Sequence, residues 1–344
     1  MNWSSIEKRL LFLMLVTDLH SGMGKAVSGA VDNPIQRGSP AYIPLIRGSS
    51  IKGALSNRYF KRVGKRSRDE KEIWAPIFGD VDESAASFTV LDAHPLLIPV
   101  PSLKGGYAYV TSPALLNRFA LIADMTGKDM LVNEALEALA PGGREPCGRE
   151  CYVEEESKVL LSVEALQNEE CVVIEPLLVL KPARRAYEIS KLTRTLIRNS
   201  QALNIALEVE GHVVLISDDM LSLVLEHVIT ATPRIRLKYK EKVVETGPWW
   251  EETLPKGTLL YTAFIARNSR IPLKREVLKG LKKFISFREL GLEIDGDKAE
   301  IQLKPSHIFQ IALGQKSPLY LFLGADKSSG KGLIKVIWYG RGIS

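Results

Sequence analysis

Residues 10–16 are LLFLMLV, and residues 22–53 are GMGKAVSGAVDNPIQRGSPAYIPLIRGSSIKG. The first run is continuously apolar, which is typical of a strand buried on both faces. The second stretch is rich in glycine and longer than most connections in a compact domain, and such long loops usually serve a function. It carries one carboxylate, Asp32, and leads into a predicted helix from Ser50 to Lys61. We therefore expect the chain to be organised around this loop.

Composition sets the broad class of the protein. The chain has 344 residues, of which 45% are apolar and 25% charged, as in a globular protein of one or two domains. A net charge of +6 favours an acidic partner, nucleic acid first. Three cysteines argue for a reducing compartment, and no apolar run approaches the roughly 18 residues of a membrane helix. We expect a cytoplasmic protein without a membrane partner.

Strand and helix patterns alternate irregularly along the chain, which favours an α+β fold. The segment at about 141–215 begins at a Pro-Gly-Gly break and is interpreted as an insertion. Residues Arg234–Lys240 alternate basic and apolar side chains, which predicts a strand paired in a hairpin with Val243–Glu252. Further predictions are a strand Phe88–Val100 interrupted at Pro95, a strand Cys171–Leu180, and helices at Pro113–Met125, Met130–Leu139, Ser190–Leu207 and Lys274–Leu290.

The last loop, GADKSSGKG at 324–332, resembles a phosphate-binding P-loop but fails its spacing and precedes a strand instead of a helix. Its backbone N–H groups, with Lys327 and Lys331, could still bind phosphate, or the loop is an ordinary hairpin turn. Cys147 and Cys151 are spaced C-x₃-C without a second pair, which is weak support for a zinc site.

Several polar residues are candidates for chemistry or for contact with phosphate. Asp32 is either a turn residue or an ionised carboxylate that accepts a hydroxyl proton or holds Mg²⁺. His20 is either an acid–base group or a structural histidine. Lys52, in the first turn of its helix, opposes the macrodipole, which favours a phosphate partner. The basic side chains at Arg234–Lys240 fit either a phosphate-tracking strand or a charged edge strand, and Trp249-Trp250 could stack on bases.

The combination LHSGMG, VDNPIQR, IPLIRGSSIKGAL, IFGD, LKGGYAYVTSPALLNRF, LPKGTLLY and FLGADKSSGKGLIKV resembles the backbone subunits of type III-B CRISPR Cmr effector complexes, members of the RAMP superfamily of RNA-binding proteins. The resemblance covers most of the chain and is weakest through about 141–215. It implies a single RAMP domain with a ferredoxin-like, RRM-related palm, inserted fingers at about 141–215 and a β-hairpin thumb at about 231–255. It also implies a filament of copies along the CRISPR RNA, with other Cmr subunits as partners.

The same resemblance implies an endoribonuclease. Asp32 corresponds to the catalytic aspartate of the family, which cleaves target single-stranded RNA at regular intervals with a divalent metal, Mg or Mn, and the RNA 2′-OH. His20, Glu251 and Glu252 are further catalytic candidates. Asn33 and Ala325 depart from the usual family residues without removing a functional group. The expected RNA-binding residues are Lys52, Arg37, Arg47, Ser49, Ser50, Arg234, Arg236, Lys238, Lys327 and Lys331.

Two other functions remain open at this stage. The chain could be a backbone subunit that binds guide RNA without cutting. It could also be a precursor-RNA-processing endonuclease, which would work as an isolated subunit, without metal, and would depend on His20.

Overall fold

The computed structural model describes residues 6–24, 31–38, 42–63, 74–79, 85–163, 169–175, 178–198, 209–238, 243–274, 300–314 and 319–339. The strands are β1 (Ile6–Leu15), β2 (Arg37–Gly38), β3 (Ile43–Pro44), β4 (Phe88–Val90), β5 (His94–Ser102), β6 (Gly106–Thr111), β7 (Glu150–Glu154), β8 (Leu161–Val163), β9 (Glu169–Ile174), β10 (Leu178–Ala186), β11 (Val213–Ile216), β12 (Thr230–Leu237), β13 (Val244–Thr253), β14 (Leu259–Arg267), β15 (Leu273–Lys274), β16 (Glu300–Ile301), β17 (Leu319–Phe322) and β18 (Leu333–Trp338). The longer helices are α1 (Gly48–Val63), α2 (Pro113–Met125), α3 (Asp129–Leu139), α4 (Tyr187–Arg198), α5 (Asp218–Val228) and α6 (Pro305–Leu313).

One large sheet organises the chain, and β1 is the third strand from one end of it. β1 is antiparallel to both β18 and β14, and β14 pairs in turn with β5. Beyond β5 the order continues through β6, β11, β7, β10, β9 and β8. β9 also touches β5, where Ser102 pairs with Ile174, so six strands close into a ring. The segment at 141–215 therefore extends the main sheet through β6 and β11.

The core has two layers, one on each side of β1. Leu11, Leu13 and Leu15 pack in one apolar cluster with side chains of α1 and α6. Leu10, Phe12 and Met14 pack in a second cluster with side chains of α2, α3 and α4. Successive side chains of a strand point to opposite faces, so a strand covered by helices on both faces has to be apolar throughout. The strand expected at residues 10–16 is confirmed, and it is buried on both faces.

Several elements agree with the sequence-based expectations. α2 begins at Pro113 and ends at Met125, and the Ser112 hydroxyl accepts a hydrogen bond from the Leu115 N–H. Ser is a favoured N-cap residue and Pro a favoured first helical residue, so this boundary is encoded locally. The hairpin of β12 and β13 is present, with Thr230 paired to Thr253. No helix of the described ranges is long and apolar enough to span a bilayer.

Four boundaries were predicted wrongly. The break between β4 and β5 falls at residues 91–93, and Pro95 lies inside β5 at a register shift, where a missing N–H is tolerated. The strand predicted at Cys171–Leu180 is two strands, β9 and β10, which pair with each other. α4 begins at Tyr187 rather than Ser190, and α1 begins at Gly48 rather than Ser50. The helix predicted at Lys274–Leu290 lies, beyond its first residue, outside the described residues.

Candidate functional site

Four stretches of chain meet where the β12–β13 hairpin leaves the main sheet. Leu19, just after β1, forms an antiparallel bridge with Leu254, just after β13. Asn33 forms a parallel bridge with Glu251 of β13. We call this junction the hairpin base, and it comprises residues 18–23, 31–37, 249–254 and 323–332. It brings together residues that are more than 200 positions apart in the sequence.

Asp32 is exposed at the hairpin base, and its position is defined by β13. The Trp250 N–H donates a 2.7 Å hydrogen bond to Asp32 Oδ2. The next residue, Asn33, donates its N–H to the Trp250 carbonyl at 3.0 Å and accepts from the Glu252 N–H at 3.0 Å. Asp32 Oδ1 makes no hydrogen bond to the described part of the chain and faces solvent. An anchored carboxylate with one free oxygen can accept a proton or ligate a cation.

Glu252 binds the segment that carries Asp32. Its carboxylate accepts from the Ile35 N–H at 3.0 Å, and it forms a bidentate ion pair with the Arg37 guanidinium at 2.7 and 3.0 Å. Three donors therefore occupy the carboxylate, and its side chain is 14% exposed. Arg37, an expected RNA-binding residue, already has a protein partner, and its contact with RNA stays a prediction.

Glu251 points to the opposite face of β13, toward the last loop, and is buried. Lys331 Nζ donates to its Oε1 at 3.1 Å, and Arg234 lies 3.4 Å from the same oxygen and 2.5 Å from Asp326. Burial raises the pKa of the Glu251 carboxyl, but the hydrogen bond from Lys331 outweighs burial, and the pKa lies below its ordinary value. Glu251 is therefore held ionised within a charged cluster, away from solvent.

His20 is a buried residue of the hairpin base. Its Nδ1 lies 2.8 Å from the Glu252 carbonyl oxygen, which only accepts, so Nδ1 carries a proton. Its Nε2 faces Gly22, where an added Cβ would lie 2.5 Å from that nitrogen. With 6% of its surface exposed, His20 has little access to a bound RNA strand. Its proposed acid–base role stays a prediction.

The last loop packs against the residues that follow β1. The Ala325 N–H donates to the His20 carbonyl at 3.2 Å, and a Cβ at Gly324 would lie 2.1 Å from that oxygen. The loop joins two antiparallel strands, β17 and β18, and opens no helix long enough for a P-loop, so it is a hairpin connection, and its binding of phosphate stays a prediction. Lys331 is paired with Glu251, whereas Lys327 is exposed.

A second group of expected binding residues lies at the amino end of α1. Asp92 caps this end, because its carboxylate accepts from the Gly48 N–H and the Arg47 guanidinium, both at 2.8 Å. Ser49 and Ser50 therefore lie inside the helix instead of capping it, and both are exposed. Lys52 is the fifth residue of α1, so the prediction that it lies in the first turn and opposes the helix macrodipole there was wrong. Burial lowers the pKa of Lys52.

The hairpin carries the remaining basic candidates, and a register shift separates them. The pairing of β12 with β13 is irregular between Arg234 and Arg236. The Arg234 side chain points toward Glu251 and Asp326, whereas Arg236 and Lys238 are exposed. Trp250 is 42% exposed, and Trp249 is less so. The strict alternation expected from the sequence therefore fails at this bulge.

A family model described as the RAMP superfamily matches residues 12–335. The chain belongs to the RAMP superfamily. It is 27% identical over 333 residues to a CRISPR system Cmr endoribonuclease Cmr4 of Pyrococcus furiosus, which covers 95% of this chain and 94% of the relative. It is 28% identical over 279 residues to a CRISPR system CMR subunit Cmr4 of Saccharolobus solfataricus, covering 75% of this chain and 84% of the relative.

Solved structures share the fold of this RAMP protein. A chain in the cryo-EM structure of the type III-B Cmr-beta complex bound to cognate target RNA superposes with a TM-score of 0.64 at 19% identity, covering 96% of both chains. The crystal structure of oligomeric Cmr4 from Pyrococcus furiosus gives a TM-score of 0.60 at 22% identity, covering 97% of this chain and 99% of the other.

The described residues of this RAMP protein do not form a metal cage. No group of three or more His, Cys, Asp or Glu side chains among them could hold an ion. Cys147 is exposed, Cys151 is buried, and both are free thiols, so the zinc interpretation gains no support. Any divalent ion at Asp32 would need most of its ligands from water and substrate.

Sequence analysis missed two acids that organise the site. Asp92 caps α1 from 44 positions away, and Asp326 pairs with Arg234 from 92 positions away. Asp326 also adopts φ of 57°, in the left-handed region that Asp tolerates better than most residues. Asp326 lies within the GADKSSGKG loop, but neither acid was predicted from the sequence because each acts on a distant partner.

Proposed function

We propose that this chain is a guide-RNA-binding backbone subunit of a type III CRISPR effector complex, and that it cleaves complementary target RNA with Asp32. Membership of the RAMP superfamily and similarity to two Cmr4 proteins over most of their length support the class. The observation that carries the cleavage role is the exposed Asp32 carboxylate, held by the Trp250 N–H at the base of a protruding hairpin.

The chemistry needs one proton acceptor and a fixed strand of RNA. The 2′-oxygen of the target attacks the adjacent phosphorus, and the bond from phosphorus to the 5′-oxygen breaks, which gives a 2′,3′-cyclic phosphate and a 5′-hydroxyl. The free Oδ1 of Asp32 accepts the 2′-OH proton, and the leaving oxygen takes a proton from water. General-base assistance of this kind contributes about 10²- to 10⁴-fold in rate.

A divalent ion, Mg²⁺ or Mn²⁺, fits this scheme as a substrate-borne group. Mg²⁺ in phosphoryl-transfer sites usually has one or two carboxylate ligands, with phosphates and waters completing its shell. Asp32 offers one such ligand, which agrees with the lack of a protein cage among the described residues. When bound, the ion would neutralise charge on the scissile phosphate.

The architecture of the central sheet supports a ferredoxin-like palm. Four strands in chain order, β1, β5, β14 and β18, lie in the spatial order β18-β1-β14-β5. α1 follows β1, α6 precedes β18, and both helices contribute to the same apolar cluster. This strand order is the one expected of the split βαβ arrangement of ferredoxin-like domains, and it supports the proposed palm. We propose residues 141–215 as the fingers, the β12–β13 hairpin at about 231–255 as the thumb, and the cytoplasm as the location.

The basic surface of this molecule suits a guide strand. Exposed Ser49 and Ser50, with Lys52 close by, lie in the first five residues of α1 and offer two hydroxyls and an ammonium to phosphate. Arg236 and Lys238 on the hairpin and Lys327 on the last loop add exposed cations. We further propose that copies of this subunit, together with other complex subunits, continue this surface along the CRISPR RNA.

Asp32→Asn tests the proposal, because it removes the charge and keeps an oxygen for the Trp250 N–H. The complex reconstituted with guide RNA is mixed with complementary target RNA, and the products are sized. The wild type should give evenly spaced cuts, and the variant should lose at least about 10²-fold in rate while retaining guide binding. Asp124→Asn, an exposed acid on α2, is the control. Unchanged cutting by Asp32→Asn would remove Asp32 from the reaction, and a wild type that binds but never cuts would favour the guide-binding role alone.

A further inference from the structure

Two adjacent acids of β13 attach the hairpin to two different parts of the chain. Glu251 is bound by Lys331 of the last loop, and Glu252 is bound by Arg37 and the Ile35 N–H. Neighbouring side chains of a strand point to opposite faces, so the two carboxylates cannot serve the same site. Only Glu252 points to the segment that begins with Asp32.

The contacts of Glu252 fix the segment downstream of Asp32. Its main-chain N–H donates to the Asn33 carbonyl, and its carboxylate accepts from the Ile35 N–H and from both terminal nitrogens of the Arg37 guanidinium. One residue thus binds the chain at three positions within five residues of Asp32. Bidentate guanidinium–carboxylate pairs are among the stronger and more directional side-chain contacts, so this attachment sets geometry.

The carboxylate of Glu252 has little capacity left for substrate. Three donors already lie within 3.0 Å of its two oxygens. The Glu252 and Arg37 side chains are 14% and 25% exposed. A group in this state acts on its neighbours in the protein more readily than on RNA.

We propose that Glu252 is a positioning residue, which with Arg37 holds Asp32 in register with the hairpin and does not itself touch the scissile phosphate. The inference deepens the proposed function and rests on it. It has a mechanical consequence: any shift of β13 when RNA binds moves Asp32 by the same amount. Misplacement of a catalytic group by about 1 Å can cost 10²-fold in rate.

The test compares Glu252→Gln, Arg37→Gln and the double variant with Glu170→Gln. Glu170 forms a surface ion pair with Arg185 at 2.6 Å on β9 and β10, and it controls for the loss of an ion pair elsewhere. Three quantities are measured on the full chain: the cleavage rate at saturating target RNA in the reconstituted complex, the target affinity, and amide hydrogen exchange over 31–38. The exchange measurement needs no RNA.

Each site variant should cut about tenfold to 10²-fold more slowly and exchange faster at 33–37 while the amides of β1 and β14 stay protected. Glu252→Gln should in addition bind target within twofold of the wild type. The double variant should be no slower than the slower single variant, because both changes break one interaction.

Other results would overturn the inference in distinguishable ways. A slower rate with unchanged exchange would mean that Glu252 acts on the RNA directly. An unchanged rate would mean that the ion pair does not position Asp32. If the amides throughout β1 also exchange faster in Glu252→Gln, that substitution has destabilised the whole fold. The comparison between these outcomes then rests on Arg37→Gln. A wild type that does not cut would overturn the proposed function as well.

Discussion

At the scale of single residues, Glu154, at the end of β7, is a buried carboxyl outside the candidate site. It is 2% exposed, and its Oε2 accepts from the Val213 N–H at 3.0 Å. Burial raises the pKa of the Glu154 carboxyl to about 7, although hydrogen bonds from Val213, Thr193 and Gly211 act to lower it. The charged form is therefore disfavoured in the folded protein.

Glu154 should make stability depend on pH near neutrality. Its pKa is higher in the folded than in the unfolded chain, so its contribution is full below the unfolded pKa and is lost as pH rises through about 7. Between pH 5 and pH 8 the wild type should lose on the order of 2 kcal/mol of unfolding free energy more than Glu154→Gln. Denaturant unfolding at both pH values measures this, and the exposed Glu156→Gln should follow the wild type. Parallel curves for Glu154→Gln and the wild type would contradict the prediction.

At the scale of elements, the start of α1 depends on one close approach. A Cβ at Gly48 would lie 2.1 Å from the Val90 carbonyl oxygen, and backbone cannot yield as a flexible side chain does. The same N-terminus is capped by Asp92, two residues after Val90. The first residue of α1 therefore lies in space against the end of β4, and the exposed Ser49 and Ser50 are the next two residues of the helix.

Gly48→Ala should destabilise the protein by about 1–3 kcal/mol, the usual range for overpacking, and should weaken RNA binding. Gly53→Ala is a matched control in the same helix, because nothing lies within 4 Å of its Cβ position. That change should stabilise by about 0.5–1 kcal/mol, since alanine favours helix over glycine. Thermal unfolding and RNA titration measure both effects. Equal effects of the two substitutions would argue against the steric account.

At the scale of the whole molecule, four of the ten expected RNA-binding residues already have acidic partners within the protein. Arg37, Arg47, Arg234 and Lys331 each pair with a carboxylate, so these four cations are less available to phosphate than the sequence suggested. Lys52 has no ion pair with the described residues, and Arg236 is exposed. Among the expected cations in the described ranges, Lys52 on α1 and Arg236 on the hairpin therefore remain candidates for contact with phosphate.

Lys52→Gln and Arg236→Gln should each weaken single-stranded RNA binding with little dependence on sequence. Each lost phosphate contact should flatten the plot of log affinity against log salt concentration by about 0.7. Affinity titrations at several salt concentrations measure the slope, and Lys104→Gln, an exposed cation on the β5–β6 turn, is the control. A slope equal to that of the control would mean that these side chains are ordinary surface charges.

Local sequence was sufficient for many of the elements. The apolar run at residues 10–16 predicted a strand buried on both faces, and Pro113 predicted the start of α2, because each signal depends on neighbouring residues only. Alternation along β12 predicted the hairpin but missed its bulge. The resemblance to RAMP proteins selected Asp32, which spacing alone left as a turn residue.

Tertiary structure decided which charged residues are free and which are structural. Asp32 meets Trp250 across 218 positions, and Arg37 meets Glu252 across 215. A sequence pattern records which face of a strand a side chain takes, but the partner on that face depends on how distant segments come into register. The chain by itself therefore indicated its first buried strand, the start of α2 and the β12–β13 hairpin, and folding determined that Glu252 holds the segment of Asp32 while Glu251 holds the last loop.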